Sequence, residues 1–115
     1  MEFQREKILG VNVSAINMKQ ALEQLQYWLR GKIKTYVCVT PAHSIMECVN
    51  DPTLYEIYNT SGMTTPDGMA IVWLLKSAGY KHVSRVYGPD LLLAACHSLV
   101  EPSASHYFFG GAEDV

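Results

Sequence analysis

Short β-rich runs alternate with stretches of helical spacing along the chain. Residues 7–13 and 35–40 are rich in β-branched residues and predict a first strand or strand-turn and a second, buried strand. Between them, Asn17 with Gln20 three residues later is typical of a helix that begins with a capping box. The apolar residues that follow at helical spacing are Ala21, Leu22, Leu25, Trp28 and Leu29, and Gly31 suits the position after the helix end.

Two helices are predicted after the second strand. The first follows Pro41 and should bury one face, formed by Ile45, Met46 and Val49. The pair Asp51-Pro52 predicts the start of the second, because aspartate caps a helix and proline suits its first position. Its apolar stripe comprises Leu54, Ile57 and Tyr58.

The last part of the chain continues the alternation. Residues 63–65 predict a short strand, residues 69–78 an apolar helix, and residues 106–109 a strand that runs into Gly110-Gly111. Asp90 is predicted to cap another helix, with an apolar face of Leu91, Leu92, Ala95 and Leu99. The pattern predicts an α/β fold, a Rossmann-like layered sheet with flanking helices, in one domain.

A strand that ends in Gly-Gly often opens a phosphate-binding turn before a helix. Here the chain ends four residues after Gly111, before that helix could form. We therefore expect a fold truncated after the Gly-Gly turn, with residues 1–115 as the N-terminal part of a single catalytic domain.

Composition excludes several classes of protein. The 115 residues are 49% hydrophobic and 17% charged, which suits one domain with a core, and a net charge of −2 provides no general field for nucleic acid. The apolar run 91–96 is too short to span a bilayer, and the charged N-terminus carries no secretory signal. Three cysteines without a C-x-x-C motif favour three buried thiols in a reducing cytoplasm over disulfides or zinc.

Polar residues near the predicted strand ends are the candidates for chemistry. Asp67 could be a helix N-cap or a general base, because ligands of open α/β sheets gather at the carboxyl ends of strands. Thr40 could be an ordinary strand residue or a hydroxyl in the same crevice. His43 follows in the same turn, where a lone histidine is usually a surface residue.

Arg85 is the cation of interest, in the polar loop 81–85. It could be a solvated charge or a guanidinium aimed at a diphosphate, which its fork geometry suits. Gly88 and Pro89 would hold the loop in shape, and Asp90 is a cap rather than a ligand. The sequence contains no Asp-x-Asp, Walker A, G-x-G-x-x-G, G-x-S-x-G or H-E-x-x-H motif.

Four segments together resemble one known family. They are residues 40–45 (TPAHSI), 66–73 (PDGMAIVW), 85–91 (RVYGPDL) and 108–111 (FFGG). In this order they resemble the WecG/TagA/CpsF glycosyltransferases, glycosyltransferase family 26, over nearly the whole chain. The second and third segments in combination are the specific signal.

The resemblance implies a bacterial transferase that moves a sugar from a UDP-sugar to a polyprenol-diphosphate-linked acceptor. The products would be teichoic acid, enterobacterial common antigen or exopolysaccharide of the cell surface. Transfer would be inverting, with no metal and no cofactor, which agrees with the missing Asp-x-Asp motif. The protein would be cytoplasmic and peripheral at the inner membrane face. We expect no nucleic-acid partner, and a homo-oligomer is a further expectation.

The resemblance also implies roles for particular residues. Asp67 matches the family's general base, Thr40 a threonine of the active-site crevice, and Arg85 an arginine that contacts the diphosphate. Ala42 stands where the family commonly has asparagine, which departs from its substrate-binding pattern. His43 and the pair Gly110-Gly111 complete the expected substrate-binding residues.

Two other interpretations stay open. The chain could be a non-catalytic or degenerate α/β module, which Ala42 and the abrupt end favour, or an unrelated nucleotide-binding enzyme, which leaves the combined segments unexplained. If the transferase interpretation holds, we expect these 115 residues alone to be inactive and poorly stable, because an unpaired sheet edge would be exposed.

Overall fold

A computed structural model describes residues 3–99 and 104–113. The elements in chain order are the strands and helices β1 (Arg5–Ile8), β2 (Val11–Ser14), α1 (Met18–Arg30), β3 (Val37–Thr40), α2 (Ala42–Val49), α3 (Pro52–Asn59), β4 (Met63–Pro66), α4 (Met69–Ser77) and α5 (Gly88–Ser98). The α/β class predicted from the sequence is confirmed, and the mixed arrangement is consistent with a Rossmann-like fold.

The first predicted strand is a hairpin. β1 and β2 pair antiparallel, with Ile8 opposite Val11. The turn residues Leu9 and Gly10 have φ angles of 50° and 88°, and two consecutive positive values match the twist of a tight hairpin. Val11 and Val13 then point into the core, where neither is exposed.

The functional end of the fold is set by two parallel strands. β3 and β4 pair from Val37 opposite Met63 to Thr40 opposite Pro66, and the crossover between them carries α2 and α3. β2 is joined to β4 by side chains: Thr64 Oγ1 accepts from the Ser14 amide at 3.2 Å, and Ser14 Oγ accepts from the Thr64 amide at 3.0 Å.

The caps predicted for α1 and α3 are confirmed. Asn17 and Gln20 form a complete capping box, with side-chain to backbone distances of 3.0 and 3.1 Å. Asp51 Oδ1 accepts from the amides of Thr53 and Leu54 at 3.1 and 3.2 Å. These contacts are local, so a short stretch of sequence suffices to specify them.

Two hydrophobic clusters form the core. The members of the first are Val11, Val13, Ala15, Ile45, Cys48, Ile71, Val72, Leu75 and Val83. The second joins α1, β4 and α5 through Ile16, Ala21, Met63, Val86 and Leu91.

The predicted apolar faces of three helices are partly wrong. α2 buries Ile45 and Cys48 and leaves Met46 and Val49 about half exposed. Ile57 of α3 and Leu92 of α5 are similarly exposed. The helical spacing was right, but which residues are covered depends on where the neighbouring elements pack. Cys48 belongs to the cluster that contains residues of β2 and α4.

Two predicted helix caps and one predicted strand differ from the structure. α5 begins at Gly88, so Asp90 lies in its first turn rather than at the cap, since Pro89 suits the first helical turn. The cap residue of α4 is Gly68, with φ 142°, rather than Asp67. Residues 106–109 form no strand, because no described strand lies beside them to accept their backbone hydrogen bonds.

The three cysteines are free, but only Cys48 is buried, whereas Cys38 and Cys96 are partly exposed. The prediction of three buried thiols is therefore wrong for two of them. Burial raises the pKa of the Cys38 and Cys48 thiols above the usual value. Across residues 3–99 and 104–113, no helix combines the length and apolar character that crossing a membrane requires.

Candidate active site

Asp67 and Thr40 meet at the carboxyl ends of β3 and β4. The Asp67 amide donates to the Thr40 carbonyl at 3.2 Å, which extends the parallel ladder one residue beyond the strands. Thr40 is fully buried, and its hydroxyl donates to the Cys38 carbonyl at 3.0 Å within its own strand. The Asp67 side chain retains 13% of its exposure, so the carboxylate is largely buried but still reached by solvent.

Arg85 pairs directly with Asp67. The guanidinium Nε donates to Asp67 Oδ1 at 3.0 Å, and the guanidinium carbon lies 4.5 Å from the centre of the Tyr87 ring. The loop is held by Val86, whose amide donates to the Pro66 carbonyl at 2.8 Å. A carboxylate–guanidinium contact and a cation–π contact therefore orient one side chain from two sides.

The contact between Asp67 and Arg85 uses only one polar atom of each side chain. Nε occupies Asp67 Oδ1, and within the described residues no hydrogen bond involves Oδ2 or the two Nη groups of Arg85. Gly88 lies beside Oδ2: a Cβ placed on it would come 3.9 Å from that oxygen and 3.4 Å from Val39 Cγ1. The missing side chain keeps the space next to the second carboxylate oxygen open.

Three helices begin around this pair without a side-chain cap. They are α2 after Pro41, α4 after Gly68 and α5 after Tyr87. α1 and α3, in contrast, are both capped by side chains. An uncapped helix start presents free N–H groups and a partial positive charge, so this end of the sheet favours an anion.

The structure places the remaining predicted residues less centrally. Ala42 and His43 form the first turn of α2, directly after Thr40-Pro41. Both are exposed, and the His43 imidazole pairs with Glu47 at 2.9 Å along its own helix. No described hydrogen bond or ion pair joins them to Asp67 or Arg85.

Gly110 and Gly111 are exposed and have positive φ angles of 108° and 80°. A Cβ on Gly110 would have no heavy atom within 4 Å, so the structure does not bring it against the Asp67–Arg85 pair. In the part of the chain that the structure describes, no three His, Cys, Asp or Glu side chains are grouped to hold a metal ion.

Sequence reasoning missed Tyr87 as a partner of Arg85. A usable signal was present, because residues two apart in an extended segment lie on the same side, and an aromatic residue there can stack on a guanidinium. From the sequence, Gly88 was given a role only in the shape of the loop. Its closeness to Asp67 was not predictable, because it depends on how α5 docks.

The fold and the site together define an α/β protein with an ion pair at the carboxyl ends of two parallel strands and three uncapped helix starts that follow nearby segments. The chain matches the sequence model of the glycosyl transferase WecG/TagA/CpsF family over residues 6–115. Because the match covers nearly all of it, the chain belongs to the WecG/TagA/CpsF family and has a glycosyltransferase-type function. A comparison with curated protein sequences gives no match.

Proposed function

We propose that this protein is an inverting, metal-independent transferase acting on a UDP-sugar and a polyprenol-diphosphate-linked acceptor. The observation that carries the proposal is the Asp67–Arg85 pair at the carboxyl ends of β3 and β4, at 3.0 Å. The pair supports the proposal because a carboxylate can accept a proton and a guanidinium can bind a diphosphate. Residues 1–115 would then be the N-terminal part of the catalytic domain.

The proposed reaction is one displacement at the anomeric carbon of the donor. The acceptor hydroxyl oxygen forms the new bond to that carbon while Asp67 Oδ2 accepts its proton. The bond to the UDP oxygen breaks on the opposite face, and UDP leaves with the electron pair. A direct displacement of this kind inverts the configuration of the anomeric carbon.

Arg85 is proposed to serve both partners. Its guanidinium offers five N–H donors in a fixed plane, so Nε can orient the base while the Nη groups face the diphosphate. The uncapped starts of α2, α4 and α5 add partial positive charge at the same end. Both would stabilise the charge that develops on the leaving group. A polyprenol-linked acceptor would require the protein to work at the inner face of the cytoplasmic membrane.

Replacing Asp67 with Asn tests the base. In the intact gene product, transfer of labelled sugar should fall by about 10²–10⁴-fold, because general-base catalysis contributes that range. UDP binding, measured by calorimetry, should change little. Asp51→Asn is the matched control, because asparagine also caps α3 and should leave transfer unchanged. Normal turnover in Asp67→Asn would show that another group takes the proton.

Replacing Arg85 with Ala tests the cation. Donor KM should rise by about tenfold or more, because a charge-assisted contact to the diphosphate is lost. The wild-type KM for the UDP-sugar in this variant would rule out the assigned role.

A non-catalytic module is the second candidate. It is favoured by Ala42, an exposed apolar side chain in the first turn of α2 at a position where the resemblance leads us to expect asparagine. Such a module would transfer no sugar with any UDP-sugar and polyprenol-diphosphate acceptor tried. Measurable transfer that depends on Asp67 would exclude it.

A further inference from the structure

A cavity lies at the end of the two parallel strands opposite to Asp67. Its volume is about 560 Å³, and it is lined by α1, the β1–β2 hairpin and the segments that lead into β3 and β4. Five residues separate Thr35, which lines it, from Thr40 beside Asp67, which corresponds to about 16 Å along a strand. The cavity is therefore separate from the candidate active site, and its volume is in the range of small-molecule sites.

Aromatic and apolar side chains form much of the wall. The members are Phe3, Ile16, Tyr27, Trp28, Ile33 and Met63. The Trp28 ring packs directly on Gly62, where an added Cβ would come 2.9 Å from the ring atom Cη2. Because backbone lies against one edge of the indole, its position in the wall is well defined.

Gln24 is one of three buried polar residues in the wall, together with Ser14 and Ser61. It lies on α1 with only 4% of its surface exposed, and it lines the cavity. Its side-chain amide makes no hydrogen bond with any residue that the structure describes. The amide borders the cavity, so it can donate to and accept from a ligand that enters.

Arg5 and Lys34 are the cationic side chains that line the cavity, and they differ in their hydrogen bonding. The Arg5 guanidinium already donates to the Asn12 carbonyl at 2.8 Å and the Ser61 carbonyl at 2.9 Å, so it is part of the scaffold. Lys34 lines the cavity and is exposed, in the segment just before β3. An ammonium group there can pair with an anion without losing its hydration completely.

We propose that this cavity is a second ligand site for a phosphorylated ring compound. The ring would lie against Trp28, its polar edge would hydrogen-bond the Gln24 amide, and the phosphate would pair with Lys34. A nucleotide and a sugar phosphate share this chemistry. The inference stands on the cavity alone and does not depend on the proposed transferase reaction.

Trp28 provides the signal for a test. The chain has two tryptophans, and Trp73 is exposed on α4, so Trp73→Phe leaves Trp28 as the reporter. We expect uridine 5′-monophosphate or glucose 1-phosphate to change its emission saturably, with a Kd of about 1 mM or lower. A response to the first identifies a base on the indole, and a response to the second identifies a pyranose. Inorganic phosphate alone should give none, since it has no ring.

Substitutions of residues that line the cavity test whether the change in Trp28 emission comes from binding there. Gln24→Leu should weaken binding by about tenfold, because the amide contact is lost, whereas Gln26→Leu on the same helix should not. Lys34→Met should also weaken binding, whereas the control Lys19→Met should not. Because Lys34 is a surface residue, this variant tests the site even if Gln24→Leu fails to fold. Arg85→Ala should leave binding unchanged.

Two results would overturn the proposal. One is the absence of a saturable response to both compounds at about 10 mM. The other is a response that Arg85→Ala abolishes while Gln24→Leu and Lys34→Met leave it intact, which would place the ligand at the Asp67 end.

Discussion

Two adjacent threonines on β4 are equally buried, but only one of the two side chains is hydrogen-bonded within the described residues. Thr64 and Thr65 are both fully buried. Thr64 Oγ1 accepts from the Ser14 amide at 3.2 Å and Arg5 Nη2 at 3.1 Å, and it donates to the Asn12 carbonyl. Thr65 Oγ1 has no partner among the described residues. Replacing each with valine should therefore change stability in opposite directions.

The size of each effect follows from the groups left behind. Thr64→Val leaves the buried Ser14 amide without its acceptor, which costs about 1–3 kcal/mol, and loses one contact of Arg5, which adds about 1 kcal/mol. The expected loss is about 2–4 kcal/mol. Thr65→Val removes a buried hydroxyl that gains nothing from burial, so the fold should be more stable by up to about 1 kcal/mol.

Urea unfolding followed by far-UV circular dichroism measures both variants, with the free energy of unfolding obtained by linear extrapolation. Thr64→Ser keeps the hydroxyl and should recover most of the loss. Free energies of unfolding for the two valine variants within about 0.5 kcal/mol of each other would refute the reasoning.

Two further predictions concern the scaffold and the site. Arg5→Met should destabilise the fold by about 2–4 kcal/mol, because the buried Ser61 carbonyl loses its donor at 2.9 Å. Lys7→Met, at the exposed position of β1, should not destabilise it, and equal urea midpoints for the two variants would contradict this reasoning. Gly88→Val should fill the space beside Asp67 Oδ2 and lower kcat/KM for sugar transfer by about tenfold or more, while Gly88→Ala keeps most activity; full activity in both variants would show that Oδ2 needs no open space.

Helix starts were the most predictable features of this chain. Asn17 with Gln20, and Asp51 with Pro52, specify their helices through contacts that span three residues or fewer. The end of the second strand and the position of Asp67 just after β4 also followed from the sequence, because Pro41 and the 66–68 segment interrupt the apolar runs.

Predictions that needed distant partners were less successful. The expected strand at 106–109 lacks a neighbour within the described residues, and backbone hydrogen bonds of a strand are always made to another segment. Met46 and Val49 have the right spacing for a buried face, yet α2 buries Ile45 and Cys48 in the cluster with β2 and α4 instead.

The sequence by itself determined the α/β alternation, the family and the identity of the two side chains that carry the proposed chemistry. The tertiary structure decided that Asp67 and Arg85, eighteen residues apart, lie at 3.0 Å, with Tyr87 stacked on the guanidinium and Gly88 beside the free carboxylate oxygen. It also decided that Gln24, Trp28 and Lys34 line one cavity at the far end of the same strands. The difference is physical: caps and turns arise from neighbouring residues, whereas ion pairs and cavities arise only when separate elements dock.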